Sequence, residues 1–243
     1  MVPKIIHLCW FSDDSYPVEI KVCLDSWKRV LPDYKIRIWK YKDAKAIGIP
    51  FINEALEARR WAFAADVVRV YAVYTEGGVY MDSDIFLYKR FDEFIPQGDD
   101  AFATFNDKTR PDEGENGNGS FGLNGAFFIG TKGNSFCKDM LEYYKARHYK
   151  KEDGTFDNTV SPHVMREVAY KYGYVMEDKE QLLGPVSVYP THFLAPCKKY
   201  KVDKDTFGMH CVYGSWRKRK FGRQIEIKSK HAWHVIKYFL FKR

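Results

Sequence analysis

The octet Gly-Gly-Val-Tyr-Met-Asp-Ser-Asp, residues 77–84, decides how this chain of 243 residues is interpreted. On an extended backbone, side chains two positions apart lie on the same face, so we expect Asp82 and Asp84 to point the same way. Two ionised carboxylates held side by side repel each other unless a cation lies between them. Hard divalent ions such as Mg²⁺ and Mn²⁺ accept carboxylate oxygens and complete their shell with water and phosphates. The octet therefore predicts a site for a metal ion and a diphosphate.

The residues that flank the two aspartates strengthen this prediction, because an Asp-x-Asp pair alone is common in solvated turns. Here the pair lies inside an apolar stretch, and we expect one strand over Val79–Leu87. Gly77 and Gly78 are expected to end the preceding helix and to let a ligand approach the backbone closely. The pattern excludes an EF-hand loop, since the required glycine and the closing glutamate are missing.

The segment before the glycines, Trp61–Tyr74, is apolar except for Asp66 and Arg69. A helix that is apolar on every face is buried, and residues three positions apart share a face. Desolvation offsets much of the attraction within a buried ion pair, so charges kept in such a helix indicate a functional site. A structural clamp between helix and sheet is the alternative, and the two roles can coexist.

Length and composition predict one domain over residues 1–243, since 45% of the residues are hydrophobic and no long linker interrupts them. No run of 18 apolar residues occurs, and residues 1–7 are typical of a first strand rather than a signal peptide. Five scattered cysteines without a CxxC pair indicate reduced thiols and argue against zinc. We therefore expect a cytoplasmic protein.

The net charge of +7 is concentrated in residues 217–243, a basic extension with apolar residues at helical spacing. Such a helix can dock on the core and expose its lysines. It can also lie on the anionic inner face of a membrane, which would make the protein peripheral. Nucleic-acid binding is a third interpretation of a basic, aromatic segment. We favour docking on the core, favour membrane contact over nucleic-acid binding, and expect no nucleic-acid partner.

Helical and strand-like segments alternate along the chain, which favours an α/β fold with a largely parallel sheet. Ligands in such folds bind at the carboxyl ends of the strands, where the aspartates are expected. The polar, Gly-rich residues 106–122 predict a flexible loop beside the site. The GxGxxG match at 117–122 follows a polar loop rather than a strand, so it is not typical of a dinucleotide-binding fold.

The combined pattern resembles the DXD-containing glycosyltransferases of the sugar-binding region family, glycosyltransferase family 32, and more distantly the large glucosylating bacterial toxins. The motifs that carry the resemblance are Pro3–His7 with Trp10, Ser26-Trp27, Pro32–Tyr34, Trp39, Ala65-Asp66-x-x-Arg69, the octet 77–84, Asn124-Gly125, His210 and Ser215-Trp216. The family includes bacterial capsular polysaccharide transferases and fungal initiating mannosyltransferases.

The resemblance implies a GT-A type fold, with a Rossmann-like, mostly parallel sheet flanked by helices. It also implies a retaining enzyme that uses Mn²⁺ or Mg²⁺, a nucleotide-sugar donor such as a UDP-sugar, and a saccharide or lipid-linked saccharide acceptor in capsule or lipopolysaccharide synthesis. No second carboxylate is recognisable as a covalent nucleophile, which favours front-face attack by the acceptor hydroxyl.

Roles for individual residues follow from the resemblance. The catalytic residues would be Asp66, Arg69, Asp82 and Asp84, the donor-binding residues Trp10, Tyr80, Asn124, Ser215 and Trp216, and the metal ligands Asp82, Asp84 and His210. Trp10 would stack on the nucleotide base, although a core tryptophan is the alternative, and His210 has the same alternative as a core histidine. Two rival classes remain open, a metal-dependent phosphohydrolase and a non-catalytic carbohydrate- or nucleic-acid-binding module.

Overall fold

The computed structural model describes residues 1–108, 122–197 and 200–213. The strands are β1 (Ile5–Cys9), β2 (Lys35–Trp39), β3 (Gly78–Met81), β4 (Ile85–Leu87), β5 (Phe102–Asp107), β6 (Gly122–Leu123), β7 (Phe127–Gly130), β8 (Gln181–Leu183), β9 (Val186–Tyr189), β10 (Leu194–Ala195) and β11 (Gly208–His210). The helices are α1 (Val18–Val30), α2 (Tyr41–Ala46), α3 (Pro50–Glu57), α4 (Trp61–Glu76), α5 (Ser135–Lys145) and α6 (Ser161–Tyr170).

The main sheet has the strand order β2-β1-β3-β7-β5-β9-β8, and β6 pairs with β5 beside it. Strands β1, β2 and β3 are parallel to one another, and β5 is parallel to β9. Antiparallel pairing enters where β7 lies between β3 and β5, and where β8 pairs with β9 at the edge. A small second sheet has the order β10-β11-β4. The predicted α/β fold with a mostly parallel sheet is confirmed.

The central strands β3, β5 and β7 of the main sheet are buried at every position, which explains why β3 and β7 are apolar without alternation. In β3, Tyr80 packs on the side of α4, whereas Val79 and Met81 face the opposite core with Trp27 of α1. The two-residue period of a strand produces this division. Among the described residues, no helix is both long and apolar enough to cross a membrane. All five cysteines are described, and none of them forms a disulfide.

The two glycines before the aspartates fix the passage from α4 into β3. Gly77 ends the helix with φ of 69°, and its N–H donates to the Val73 carbonyl at 2.8 Å. Gly78 has φ of 109°, and a Cβ there would lie 2.6 Å from the Ile5 carbonyl oxygen. The expected helix end is confirmed, and the backbone that lies against Gly78 is strand β1, whereas Gly77 lies against Pro3 and Lys132. The close packing of two parallel strands therefore requires the glycine.

A buried histidine ties the first strands to this helix end. The Trp39 indole N–H donates to His7 Nδ1 at 3.2 Å, and His7 Nε2 lies 2.8 Å from the Gly77 carbonyl. Nε2 must therefore carry the proton and donate it to that carbonyl. Burial lowers the pKa of His7, which keeps the ring neutral. His7 and Trp39 thus fasten the frame around the octet.

Two expectations about the elements were wrong. The single strand expected over Val79–Leu87 is divided, because β3 ends at Met81 and a turn at 82–84 precedes β4. The loop expected from residue 106 begins later, because β5 continues to Asp107. The polar side chain of Asn106 is buried there and accepts a hydrogen bond from the Tyr174 hydroxyl at 2.8 Å. Residues 109–121, with most of the Gly-rich segment, lie outside the described residues.

Candidate active site

The two aspartates converge through a turn rather than through an extended strand. The Ile85 N–H donates to the Asp82 carbonyl at 3.0 Å, which closes a four-residue turn. The Asp82 N–H donates to the Ala126 carbonyl at 2.8 Å, and the Asp84 carbonyl accepts from the Cys211 N–H at 2.9 Å. The turn is therefore held from two sides, by the segment after Asn124 and by the end of β11. The carboxylates of Asp82 and Asp84 converge as expected. The expected reason, an extended strand with both side chains on one face, was wrong, because a turn brings them together.

Strand β4 carries the chain from this turn towards a distant histidine. β4 pairs antiparallel with β11, and His210 lies opposite Ile85, next to Asp84. Helix α1 holds β4 in place, because the Trp27 indole donates to the Ile85 carbonyl at 2.7 Å and the Leu87 N–H donates to Ser26 Oγ at 3.0 Å. The Ser26-Trp27 motif thus positions the strand that brings His210 to the aspartates.

Asp82, Asp84 and His210 form a group that could hold a metal ion. One potential ligand atom from each of them lies within 4.8 Å of the others. Asp84 Oδ2 accepts from the Tyr213 N–H at 2.9 Å, and Asp84 Oδ1 lies 3.3 Å from His210 Nε2. Burial alone would raise the pKa of the Asp84 carboxyl, but its contacts with His210 and Tyr213 leave that pKa below its ordinary value. Asp84 is therefore a carboxylate, as a metal ligand must be.

The backbone between these two partners of Asp84 is strained. Val212 has φ of 48°, in the left-handed region that a β-branched residue rarely adopts. This conformation lies between His210 and the Tyr213 N–H that binds Asp84. Strain of this kind persists where surrounding contacts impose it, and it occurs often at functional sites.

Arg69 connects α4 to the aspartate turn. Its Nη2 lies 2.7 Å from Asp66 Oδ1 and 3.7 Å from Asp82 Oδ1, and its Nη1 donates to the Gly125 carbonyl. The guanidinium also lies 4.9 Å from the centre of the Tyr80 ring. Burial alone would lower the pKa of Arg69, but Tyr80, Asp82 and Asp66 raise it. The Asp66–Arg69 pair therefore acts as a structural clamp, one of the two roles expected from the sequence. Through Arg69 it also faces Asp82.

Tyr80 completes this arrangement. Its hydroxyl donates to Asp82 Oδ1 at 2.5 Å, and burial raises the pKa of Tyr80 well above its ordinary value. The phenol therefore stays protonated and fixes one oxygen of Asp82. Asp82 accepts this bond on the oxygen that also faces Arg69.

These residues open into a cavity of about 440 Å³. Trp10, Asp66, Arg69, Tyr80, Asp82, Asp84, Asn124 and His210, all predicted from the sequence, line it. Trp10 is partly exposed there. Its ring centroid lies 4.7 Å from that of Tyr16 in an edge-to-face arrangement, and its indole N–H donates to the Asp14 carbonyl at 3.1 Å. This position differs from that of a core tryptophan such as Trp27. Ser215 and Trp216 lie outside the described residues.

Sequence reasoning missed several residues of the cavity wall. Asp107 was assigned to a loop, but it lies buried at the end of β5. Ser161 begins α6 and donates its N–H to Asp66 Oδ2 at 3.3 Å. Trp61, at the start of α4, also lines the cavity. A helix over Pro162–Tyr172 was expected from the sequence and corresponds to α6, but no local signal connects that helix to Asp66.

Comparisons with known proteins identify the family and the fold of the chain. Residues 1–229 match the family described as capsular polysaccharide synthesis protein. No curated protein matches the sequence. Similar structures include the PaToxG glycosyltransferase, at 17% identity and a TM-score of 0.51 over 70% of this chain and 69% of that one. The apo-form glycosyltransferase GlyE of Streptococcus pneumoniae TIGR4 has 10% identity and a TM-score of 0.51 over 99% and 64%.

Mouse xyloside xylosyltransferase 1 is a third similar structure, at 9% identity and a TM-score of 0.50 over 87% of this chain and 98% of that one. At such low identity these likenesses establish the glycosyltransferase fold. The family match covers most of the chain and adds the biological context, and the resemblance seen in the motifs is confirmed. The chain therefore belongs to the family of capsular polysaccharide synthesis proteins, and it is a glycosyltransferase of that type.

Proposed function

We propose that this enzyme moves a sugar from a nucleotide-diphosphate donor, a UDP-sugar, to a saccharide acceptor with the help of a divalent metal ion. One observation carries the proposal. The potential ligand atoms of Asp82, Asp84 and His210 converge within 4.8 Å, in the cavity that Arg69 and Trp10 also line. A cation site, a buried guanidinium and an accessible aromatic ring are the groups that a nucleoside diphosphate requires.

The residues present fit a divalent cation. Two carboxylates and one imidazole suit Mn²⁺, while Mg²⁺ would use the carboxylates and water. Asp84 and Asp82 would hold the ion, with His210 as the third ligand. Once bound, it would neutralise the charge that develops on the diphosphate.

The remaining roles belong to side chains of the cavity. Arg69 would stabilise the leaving diphosphate, because its charge is fixed before the reaction by Asp66 and the Gly125 carbonyl. Tyr80 would hold Asp82 in one orientation, and Trp10 would stack on the base. Asn124 would contact a sugar hydroxyl. Ser215 and Trp216 keep the donor-binding role that the family resemblance implies.

The reaction itself is an exchange of bonds at the anomeric carbon. The bond to the diphosphate oxygen breaks with its electron pair on that oxygen, and the acceptor hydroxyl forms the new bond. The hydroxyl proton passes to the departing diphosphate. We propose retention of configuration by attack on the front face, because Asp66 is engaged with Arg69 and Ser161 and is a poor nucleophile. The sugar would pass through an oxocarbenium-like state, as in glycoside hydrolysis.

The acceptor would be a lipid-linked saccharide at the inner face of the membrane. The family description supports polysaccharide assembly. In our proposal, residues 217–243 form an extension of the single domain. Their basic side chains would bring the enzyme to an anionic membrane surface.

Donor hydrolysis tests the proposed function. The purified enzyme would be incubated with a panel of UDP-sugars, with Mn²⁺, with Mg²⁺ and with EDTA, and release of UDP would be measured. We expect release from at least one UDP-sugar with a divalent ion and none with EDTA. Equal release in EDTA would contradict metal dependence. Turnover of non-sugar phosphate esters instead would favour the phosphohydrolase alternative.

A further inference from the structure

The groups proposed to bind the donor follow the order of the strands along one edge of the main sheet. Trp10 follows β1, Asp82 follows β3, and Asn124 precedes β7, and these three strands are neighbours. Because β7 is antiparallel to both β3 and β5, its start lies at the same edge as the ends of β1, β3 and β5. Base, metal ion and sugar would therefore lie at β1, β3 and β7 in turn. Neighbouring strands are about 4.8 Å apart, so this series spans roughly 10 Å.

The next strand along this edge is β5, which ends with Asp107. Asp107 is 3% exposed and lines the cavity, but the roles proposed above do not use it. Successive side chains of a strand point to opposite faces. The side chain of Asn106 points away from the cavity, since its Oδ1 accepts the Tyr174 hydroxyl at 2.8 Å and Tyr174 does not line the cavity. Asp107 therefore points to the opposite face of the sheet.

That opposite face is the one on which the small sheet packs. Phe105, two residues before Asp107 and on the same face, contacts Phe207, and their ring centroids lie 5.2 Å apart. Phe207 directly precedes β11, the strand that supplies His210. Asp107 and the proposed metal site thus share one face of the main sheet and one cavity, and β7 lies between their strands.

The backbone around Asp107 is fixed on both sides. The Asn124 N–H donates to the Phe105 carbonyl at 2.7 Å, which sets the spacing between Asp107 and the proposed sugar contact. On the other side, Lys108 Nζ lies 3.1 Å from Asp178 Oδ2. A polar group that is held in place before the substrate binds can orient a reactant effectively.

We propose that Asp107 is an acceptor-binding residue, which holds the acceptor saccharide by accepting a hydrogen bond from one of its hydroxyl groups. Nucleotide and diphosphate would fill the edge from β1 to β3, so a second sugar has room beyond β7, where β5 ends. Front-face attack requires the acceptor hydroxyl to reach the anomeric carbon from the side of the diphosphate. Asp107 meets this requirement, because it lies on the face that carries the metal site. This inference rests on the proposed function.

The test separates transfer to a saccharide from transfer to water. The UDP-sugar with the fastest UDP release would be supplied with Mn²⁺ and with p-nitrophenyl α- and β-glycosides of glucose, galactose, mannose and N-acetylglucosamine as acceptors. Glycosylated nitrophenyl product, and UDP release without acceptor, would be measured for the wild type and for Asp107→Asn. We expect the wild type to glycosylate at least one glycoside. In Asp107→Asn the ratio of transfer to hydrolysis should fall by about tenfold or more, the scale of a lost hydrogen bond.

Two further variants define the role of the side chain. Asp107→Asn keeps one oxygen that can accept a hydrogen bond, so Asp107→Ala should lower the ratio further. Asp157→Asn is the matched control, because Asp157 is also buried, at 6% exposed, but bonds to Arg147 at 3.0 Å outside the active-site cavity. It should keep the wild-type ratio. Thermal unfolding would establish that each variant folds, and Asp107→Ser would replace Asp107→Asn if that variant did not.

An equal loss of transfer and hydrolysis would assign Asp107 a structural role and overturn the inference. An unchanged ratio would overturn it as well. Transfer to none of the glycosides by an enzyme that releases UDP would also overturn it, because the proposed contact requires only one hydroxylated sugar. If the wild type releases UDP from no UDP-sugar, the proposed function fails first, so the two failures are distinguishable.

Discussion

Several polar contacts of the site converge on Asp84. Its carboxylate contacts His210 and accepts the Tyr213 N–H, and its backbone carbonyl accepts the Cys211 N–H. Asp84→Asn keeps the size of the side chain and removes its charge. We expect Mn²⁺-dependent UDP binding to be lost and the rate to fall by roughly 10³-fold or more, the scale of several kcal/mol of charge stabilisation. Calorimetry would measure the binding, with exposed Asp205→Asn as the control. Unchanged UDP–Mn²⁺ affinity in Asp84→Asn would contradict the assignment.

Trp10 allows a direct test of base stacking, because it is partly exposed in the cavity. UDP should quench its fluorescence, and Trp10→Ala should weaken nucleotide binding by about 1–3 kcal/mol, the scale of stacking between a base and an aromatic ring. Fluorescence titration of both proteins would measure the effect. Trp61→Phe provides the comparison within the same cavity. A quench that survives in Trp10→Ala and disappears in Trp61→Phe would move the base to Trp61.

At the scale of elements, the junction of α4 and β3 depends on Gly78 for two separable reasons, its φ of 109° and its contact with the Ile5 carbonyl. Gly133 shares only the first, with φ of 78° and open space around a Cβ. We expect Gly133→Ala to cost about 1–2 kcal/mol of unfolding free energy from its left-handed backbone alone. Gly78→Ala should cost clearly more, because β1 must move. Chemical denaturation would compare them, and equal losses would show that the close approach of β1 is unimportant.

The elements that local patterns determine were predictable. The buried helix α4, the glycines that end it and the apolar strands of the main sheet follow from hydrophobic runs and from Gly chemistry. The turn at 82–84 was missed, because apolar residues on both sides of a short polar break are typical of one continuous strand. Asp107 and Ser161 were missed for another reason. Their place in the cavity depends on pairing between distant segments, and no local spacing encodes that.

At the scale of the whole molecule, the site lies where two sheets meet. Asp82 and Asp84 follow β3 of the main sheet and precede β4. Strand β4 belongs to the small sheet, in which its partner β11 carries His210. The metal group therefore forms only when both sheets are assembled. The same turn faces the Arg69 clamp through Asp82. Pairing of β4 with β11 thus connects the integrity of the fold to the proposed metal site.

The basic extension, residues 217–243, lies outside the described residues, and we expect it to bind the enzyme to a membrane. Each Lys or Arg near an anionic surface contributes about 1 kcal/mol, and salt screens this attraction. Sedimentation should therefore show binding to vesicles that contain phosphatidylserine, weaker binding as salt rises, and none to neutral vesicles. Deletion of residues 229–243 should abolish it, while UDP binding, the control for folding, is retained. Equal binding to neutral and anionic vesicles, or none to either, would favour a helix that docks on the core, and a lipid-linked acceptor would lose its support.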